Sequence, residues 1–115
     1  MPLQHGITNG ICVIDIDEIF TWELKDLIKK YVDQLLSDSK HTFKGLILNF
    51  EKVNFIDSQL LGTLILVYKR TTQQGLKFGL CCLSDTHIEV FKMSKLDLII
   101  NIYPSEEDAM DALSR

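Results

Sequence analysis

The spacing of hydrophobic residues divides the first half of the chain into short strands and one amphipathic helix. Asn9-Gly10 is a strong hairpin signal, because a type I′ turn needs positive φ at both central residues, and it predicts that Leu3–Thr8 pairs with Ile11–Asp15. From about Thr21 to Ser37, apolar residues recur every three or four positions, which predicts a helix. The run GLILNF at positions 45–50 is short and continuously apolar, which predicts a strand buried on both faces.

The second half continues this alternation of strands and helices. The predicted elements are a continuation of the buried strand through Val53, Phe55 and Asp57, a helix from about Gln59 to Gln74, a strand from Leu76 to Leu83, a short helix from Ser84-Asp85 to about Met93, a strand from Leu98 to Tyr103, and a last helix after Pro104. This order predicts an α/β fold: a mixed β-sheet opened by an N-terminal hairpin, with right-handed crossovers and about four helices packed on it.

Composition predicts the number of domains and argues against some classes of binding partner. A chain of 115 residues with 46% hydrophobic content predicts one domain over residues 1–115. The formal net charge of -4 argues against a nucleic-acid surface or an anionic membrane, because phosphate binding needs clustered cations. Proteins or small molecules are the expected partners. No apolar run approaches the roughly 18 residues of a membrane span and no signal sequence is visible, so a cytoplasmic location is expected.

Cysteine and histidine positions argue against disulfides, metals and cofactors. Cys81 and Cys82 are neighbours whose side chains would point to opposite faces of a strand, so they and Cys12 are expected to be free thiols, mostly buried. His5, His41 and His87 have no ligand spacing, which predicts no metal site. No nucleotide-binding glycine motif or nucleophile elbow occurs, so we expect no cofactor, no catalytic residue and no enzyme activity.

The stretch FIDSQLLG, residues 55–62, places an aspartate and a serine where a strand gives way to a helix. Ser58 is a plausible N-cap that accepts a hydrogen bond from the N–H of Leu60 or Leu61. The same position also suits a phosphate, because free N–H groups and the helix dipole favour an anion there. Phosphorylation would add about −1.5 to −2 charges beside Asp57. Both interpretations, cap and chemical switch, remain open at this point.

The helix after Ser58 has a predicted core face and a predicted outer face at 100° per residue. The core-face residues are Leu60, Leu61, Leu64, Ile65, Val67 and Tyr68, and the outer-face residues are Gly62, Thr63, Leu66, Lys69, Arg70 and Gln73. Leu66 is the apolar exception on the outer face and lies in line with Ser58. Because Gly62 would let another chain approach closely, this side is a candidate docking face.

The segments ILNFEKVNFIDSQLLGTLILVYKRTTQQGLKFGLCCLS and IEVFKMSKLDLIINIYPSEEDAMDAL resemble the STAS domain of bacterial anti-sigma factor antagonists, and the similarity covers Ile11 to Leu113. The resemblance implies that Ser58, directly after Asp57, is the phosphoacceptor. It also implies two partners. The first is an anti-sigma factor that is an ATP-dependent serine kinase of the histidine-kinase-like type, which is bound when Ser58 is unphosphorylated and released on phosphorylation. The second is a metal-dependent serine phosphatase. The expected partner-binding residues are Asp57, Ser58, Gln59, Gly62, Leu66 and Arg70. Phe91, Met93, Ser94 and Leu96 in the stretch VFKMSKLDLI match a further family stretch, and Phe91 and Leu96 are expected to pack under the sheet edge.

The chain departs from the family pattern near Ser58. Gln59 and Leu60 replace the usual second hydroxyl residue and the glycine, which should add bulk where a kinase approaches, and Phe20 stands where an acidic residue is usual. These differences predict a divergent partner.

Two alternatives follow from the same residues. The chain could be a STAS adaptor that docks constitutively and never carries phosphate. It could instead be a receiver-like phosphoryl acceptor on Asp57, with Asp15 and Asp17 as oxygen ligands for Mg²⁺.

Overall fold

In the part of the chain that the structure describes, five strands form one mixed sheet in chain order. The computed structural model describes residues 3–17, 21–38 and 42–115. The strands are β1 (Leu3–Thr8), β2 (Ile11–Ile16), β3 (Gly45–Asn49), β4 (Lys77–Cys81) and β5 (Asn101–Tyr103). β1 runs antiparallel to β2, and the pairs β2–β3, β3–β4 and β4–β5 are parallel. Asn9 and Gly10 have φ of 52° and 77°, so the predicted hairpin and the mixed sheet are confirmed.

Within the described residues, four α-helices connect or follow the strands. They are α1 (Thr21–Ser37), α2 (Ser58–Gln73), α3 (Asp85–Met93) and α4 (Glu106–Ser114), and a 3₁₀ turn (Leu96–Leu98) follows α3. Ser84 caps α3 by accepting the His87 N–H at 3.2 Å, and Ser105 caps α4 by accepting the Asp108 N–H at 3.1 Å. Gly75 has the predicted positive φ, 79°, after α2. None of the helices in the described ranges has the length and apolar content to cross a bilayer.

The sheet is covered on both faces by cores of different size. α1, α2 and α3 each connect two neighbouring parallel strands, and crossovers of one hand place such helices on the same face. Their apolar side chains and the residues of that sheet face form the larger core, which includes Ile28, Leu64 and Phe91. On the other face, α4 contributes Ala109 and Leu113 to a smaller core. Because both faces are covered, every residue of β3 is buried, as the sequence predicted.

The prediction that the third strand continues to Asp57 is wrong, because β3 ends at Asn49. The Asn49 side chain accepts the Glu51 N–H at 2.9 Å, and the Val53 N–H donates to the Phe50 carbonyl at 3.0 Å. Asparagine commonly closes a turn on its own backbone in this way. The chain therefore leaves the sheet eight residues before α2, and Phe55 is 60% exposed instead of lying within a strand.

The other two strands after β3 are also shorter than predicted. β4 ends at Cys81 because Cys82 adopts φ of 66°, which turns the backbone out of the strand. β5 begins only at Asn101 because the 3₁₀ turn occupies Leu96–Leu98, and the N–H groups of Ile99 and Ile100 donate back to the Leu96 carbonyl. Of the cysteines, Cys12 and Cys81 are buried, Cys82 is half-buried and all three are free, as expected.

Candidate functional site

Ser58 is the first residue of α2, and Asp57, not Ser58, is its N-cap. Asp57 has extended backbone angles, φ −113° and ψ 175°, and its Oδ1 accepts the Leu60 N–H at 2.8 Å. The expectation that the Ser58 oxygen caps the helix is therefore wrong: a serine inside the first turn has helical backbone angles, whereas a cap residue does not. The Ser58 side chain is exposed, while Asp57 is half-buried. The structure thus gives the capping function to the aspartate and leaves the serine hydroxyl facing solvent.

Electrostatics at this helix end favour one anion and make a second one costly. The N–H groups of the first turn and the positive end of the helix dipole attract negative charge, and the first turn of α2 contains no acidic side chain. The Asp57 carboxylate already occupies the cap position. A phosphate on Ser58 would therefore gain from the helix dipole and be repelled by the adjacent carboxylate. The result is a strongly negative, hydrated helix end.

The cap itself predicts a measurable stability change. Replacing Asp57 by alanine removes the acceptor of the Leu60 N–H and should lower the free energy of unfolding by about 1 kcal/mol in urea denaturation. Asp57→Asn is the matched control, since asparagine caps about as well as aspartate. A loss with asparagine equal to the loss with alanine would contradict the capping role and would point to the charge of Asp57 instead.

Two of the predicted partner-binding residues are connected to α1. The Lys25 ammonium group donates to Oε1 of Gln59. Arg70 Nε lies 2.8 Å from Asp33 Oδ1, and both side chains are more than a third exposed. Surface pairs of this kind contribute little to stability, but they orient the side chains that form them. The surface around Ser58 therefore includes the facing side of α1, which the sequence did not indicate.

Leu66 and Gly62 lie on the exposed side of α2, as predicted. Leu66 is 52% exposed. A Cβ placed on Gly62 would meet no heavy atom within 4 Å, so packing inside the chain does not require a glycine here. The predicted position of Thr63 on the outer face is wrong, because its side chain is buried. The buried stripe of α2 is rotated toward Thr63 and Thr71, and its residues are Leu60, Thr63, Leu64, Val67 and Thr71.

The structure assigns different positions to two of the three departures from the family pattern. Leu60 is fully buried, so its bulk fills the core and does not obstruct a partner, contrary to the expectation. Gln59 is exposed, and its amide is held by Lys25. Phe20, the third departure, lies outside the described residues. Of the two departures that the structure describes, Gln59 is thus the one that changes the surface beside Ser58.

Phe55 is a surface residue that sequence reasoning assigned to a strand. It lies three residues before Ser58 and is 60% exposed. Exposed aromatic side chains are uncommon on the surfaces of single chains and are enriched at protein interfaces. The signal that could have found it is Asn49, whose turn-forming side chain ends the strand early.

Only two of the three aspartates of the receiver-like alternative line the same pocket. Asp15 and Asp17 line a pocket of about 310 Å³ at the carboxyl ends of β2 and β3, but Asp57 is not among its lining residues and caps α2. Burial raises the pKa of the Asp15 carboxyl, and Glu106 raises it further. Receivers also have the strand order 2-1-3-4-5, whereas this sheet has the order 1-2-3-4-5 with an antiparallel first pair.

Comparison with known proteins gives consistent matches over nearly the whole chain. The family model described as STAS domain matches residues 3–109. The anti-sigma F factor antagonist of Paenibacillus polymyxa is 22% identical over 113 residues, which cover 98% of this chain and 93% of that relative.

Solved structures share the fold. A candidate anti-sigma factor antagonist from Thermotoga maritima has a TM-score of 0.87 at 24% identity, covering 98% of this chain and 95% of that one. The Bacillus cell fate determinant SpoIIAA in its phosphorylated form has a TM-score of 0.69 at 22% identity, covering 96% of this chain and 97% of that one.

Proposed function

The chain belongs to the STAS domain family, and we propose that it is an anti-sigma factor antagonist whose protein binding is controlled by phosphorylation of Ser58. In this proposal the unphosphorylated chain binds an anti-sigma factor that is also an ATP-dependent serine kinase of the histidine-kinase-like type. Phosphorylation of Ser58 releases the chain from the kinase, and a serine phosphatase restores the unphosphorylated form. The name of the Paenibacillus polymyxa relative and the phosphorylated form of SpoIIAA support this assignment.

The observation that carries the proposal is the exposed Ser58 hydroxyl on a helix end that another residue caps. A kinase must bring the γ-phosphate of ATP into line with this oxygen, which requires an accessible hydroxyl. Because Asp57 already accepts the Leu60 N–H, phosphorylation would not break the cap of α2. The switch would then change the charge of the surface while the fold stays the same.

The surface around Ser58 has the composition of a small binding patch. Phe55 and Leu66 supply exposed apolar area, and Gln59 and Arg70 supply polar groups that are oriented by α1. Gly62 adds a position where the backbone can approach a partner closely. Interfaces commonly combine a few apolar anchors with a polar rim. We assign Asp57, Ser58, Gln59, Gly62, Leu66 and Arg70 to the partner-binding surface and add Phe55 as an anchor.

The test is incubation of the chain with ATP and a purified anti-sigma factor kinase of the histidine-kinase-like type, followed by mass spectrometry of the intact chain and of its peptides. The expected result is one phosphate on Ser58 and none on Ser58→Ala. Ser84→Ala is the matched control, because that serine caps α3 and should not affect labelling of Ser58.

The other outcomes identify the alternatives. A chain that binds the kinase but carries no phosphate after incubation with ATP would favour the constitutive adaptor. A hydroxylamine-labile phosphate that persists in Ser58→Ala and is lost in Asp57→Asn would favour the receiver-like acceptor. Either result would overturn the proposed switch.

A further inference from the structure

Cys81 and Cys82 present their side chains to the same side of the sheet, although neighbours in a strand normally alternate. Both pack in the smaller core beneath α4, Cys81 as a fully buried member and Cys82 as a half-buried one. The reason is the left-handed backbone of Cys82, whose φ is 66°. The expectation that the two thiols point to opposite faces is therefore wrong.

The two thiols are neighbours in the smaller core, where burial raises the pKa of the Cys81 thiol and the Cys82 thiol raises it further. The arrangement is held by the backbone, because the Cys82 N–H donates to the Tyr103 carbonyl at 3.2 Å and the Cys81 carbonyl accepts the Phe50 N–H at 3.0 Å. Hydrogen bonds to both neighbouring segments thus fix the backbone of the thiol pair.

We propose that Cys81 and Cys82 form a two-thiol site that binds one thiophilic atom of the trivalent arsenic class. With an organic arsenoxide, the arsenic–oxygen double bond is broken and two arsenic–sulfur bonds form. The two thiol protons leave with the oxygen as one molecule of water. The oxidation state of arsenic does not change, so no oxidant or reductant is required.

A bridging atom suits this pair better than a direct disulfide. Adjacent Cα atoms are about 3.8 Å apart across a trans peptide, whereas disulfides usually join Cα atoms about 4.4–6.8 Å apart. A disulfide here would be strained. An atom placed between the two sulfurs keeps them further apart and closes a larger ring, and soft acceptors prefer sulfur ligands.

The two thiols should react in a defined order. Burial, the Cys82 thiol and the nearby carboxylates of Glu106 and Asp15 raise the pKa of the Cys81 thiol, which makes its nucleophilic thiolate rare. Cys82 is the more exposed thiol, so it should form the first bond. Cys81 then forms the second bond within the same molecule, which is favoured by proximity.

The experiment uses phenylarsine oxide on the full-length, folded chain, with intact mass measured after a wash with an excess of a monothiol. A reagent held by one sulfur exchanges with the monothiol, whereas a reagent held by two sulfurs resists it and is removed by a dithiol. The expected result for the unmodified sequence is one retained reagent, with a mass gain equal to the reagent less one water.

Two variants complete the test, and circular dichroism checks that each is folded. Cys82→Gly should retain no reagent, and glycine suits the positive φ at this position, so this variant should fold. Cys12→Ala removes the third thiol, which lies on the opposite sheet face, and should retain one reagent. Loss of the reagent from the unmodified chain during the monothiol wash would overturn the proposal, as would retention by folded Cys82→Gly.

Discussion

Replacing Ser58 by aspartate is expected to weaken the complex with the anti-sigma factor kinase by at least about 2 kcal/mol, or roughly thirtyfold in Kd. The exposed serine would contact the partner as a neutral hydroxyl. A carboxylate there, next to the Asp57 carboxylate, would have to lose its hydration without gaining a partner of opposite charge. Ser58→Ala should bind with nearly unchanged affinity, because alanine adds neither charge nor bulk. Isothermal titration calorimetry with the purified kinase measures both variants.

Asparagine at position 58 is the matched control for this comparison. Asparagine has almost the same shape as aspartate and no charge, so Ser58→Asn should bind much more tightly than Ser58→Asp. The helix dipole favours an acidic residue in the first turn of α2 and the adjacent Asp57 carboxylate opposes it, so urea denaturation of Ser58→Asp checks that a loss of binding is not a loss of folding. If the asparagine and aspartate variants bound equally well, charge at Ser58 would not be the signal.

The positions of the helices were predictable because each has a hydrophobic period and a terminal signal. The apolar repeat of α1 predicted Thr21–Ser37, and the structure has this helix. Gly75 ended the predicted second helix, and its positive φ explains why a glycine stands there. Ser84 and Ser105 each cap the helix that follows them, as the sequence suggested. Local signals of this kind need no knowledge of the tertiary fold.

The identity of the cap on α2 was not predictable from residue types. Aspartate and serine are both good N-caps, and they are adjacent at Asp57 and Ser58. Which one caps depends on where the chain turns from extended to helical angles. That point is set by the path of the loop from Asn49, whose side chain ends β3 early. The functional consequence is large, because the residue that does not cap has a free hydroxyl.

Contacts between segments that are distant in the chain were also not predictable from the sequence. Nothing in the spacing of α2 indicated that Arg70 would meet Asp33 or that Gln59 would meet Lys25. Both contacts depend on how α1 packs beside α2. Cys82, directly after β4, shows the same limit, because its left-handed φ removes the side-chain alternation that the sequence predicted. Sequence periodicity identified the elements, and tertiary packing decided the composition of the surface around Ser58.

Replacing Phe91 by alanine should lower the free energy of unfolding by about 3–5 kcal/mol. Phe91, on α3, is fully buried in the larger core. The loss combines the transfer free energy of the ring with the cavity left behind. Because a domain of this size is typically stable by about 5–15 kcal/mol, much of the total would be removed. Urea denaturation followed by far-ultraviolet circular dichroism measures the change.

Met93 in the same helix provides the control, because its side chain is 82% exposed. Met93→Ala should change the free energy of unfolding by no more than about 0.5 kcal/mol. The pair tests whether the stretch VFKMSK is similar to its counterpart in the family for reasons of packing. A Phe91→Ala chain with unchanged stability but weakened kinase binding would contradict the packing role and would move the partner surface onto α3. If Phe91→Ala lost stability but kept its affinity for the kinase, the ring would act only through the core and the binding surface would stay on α2.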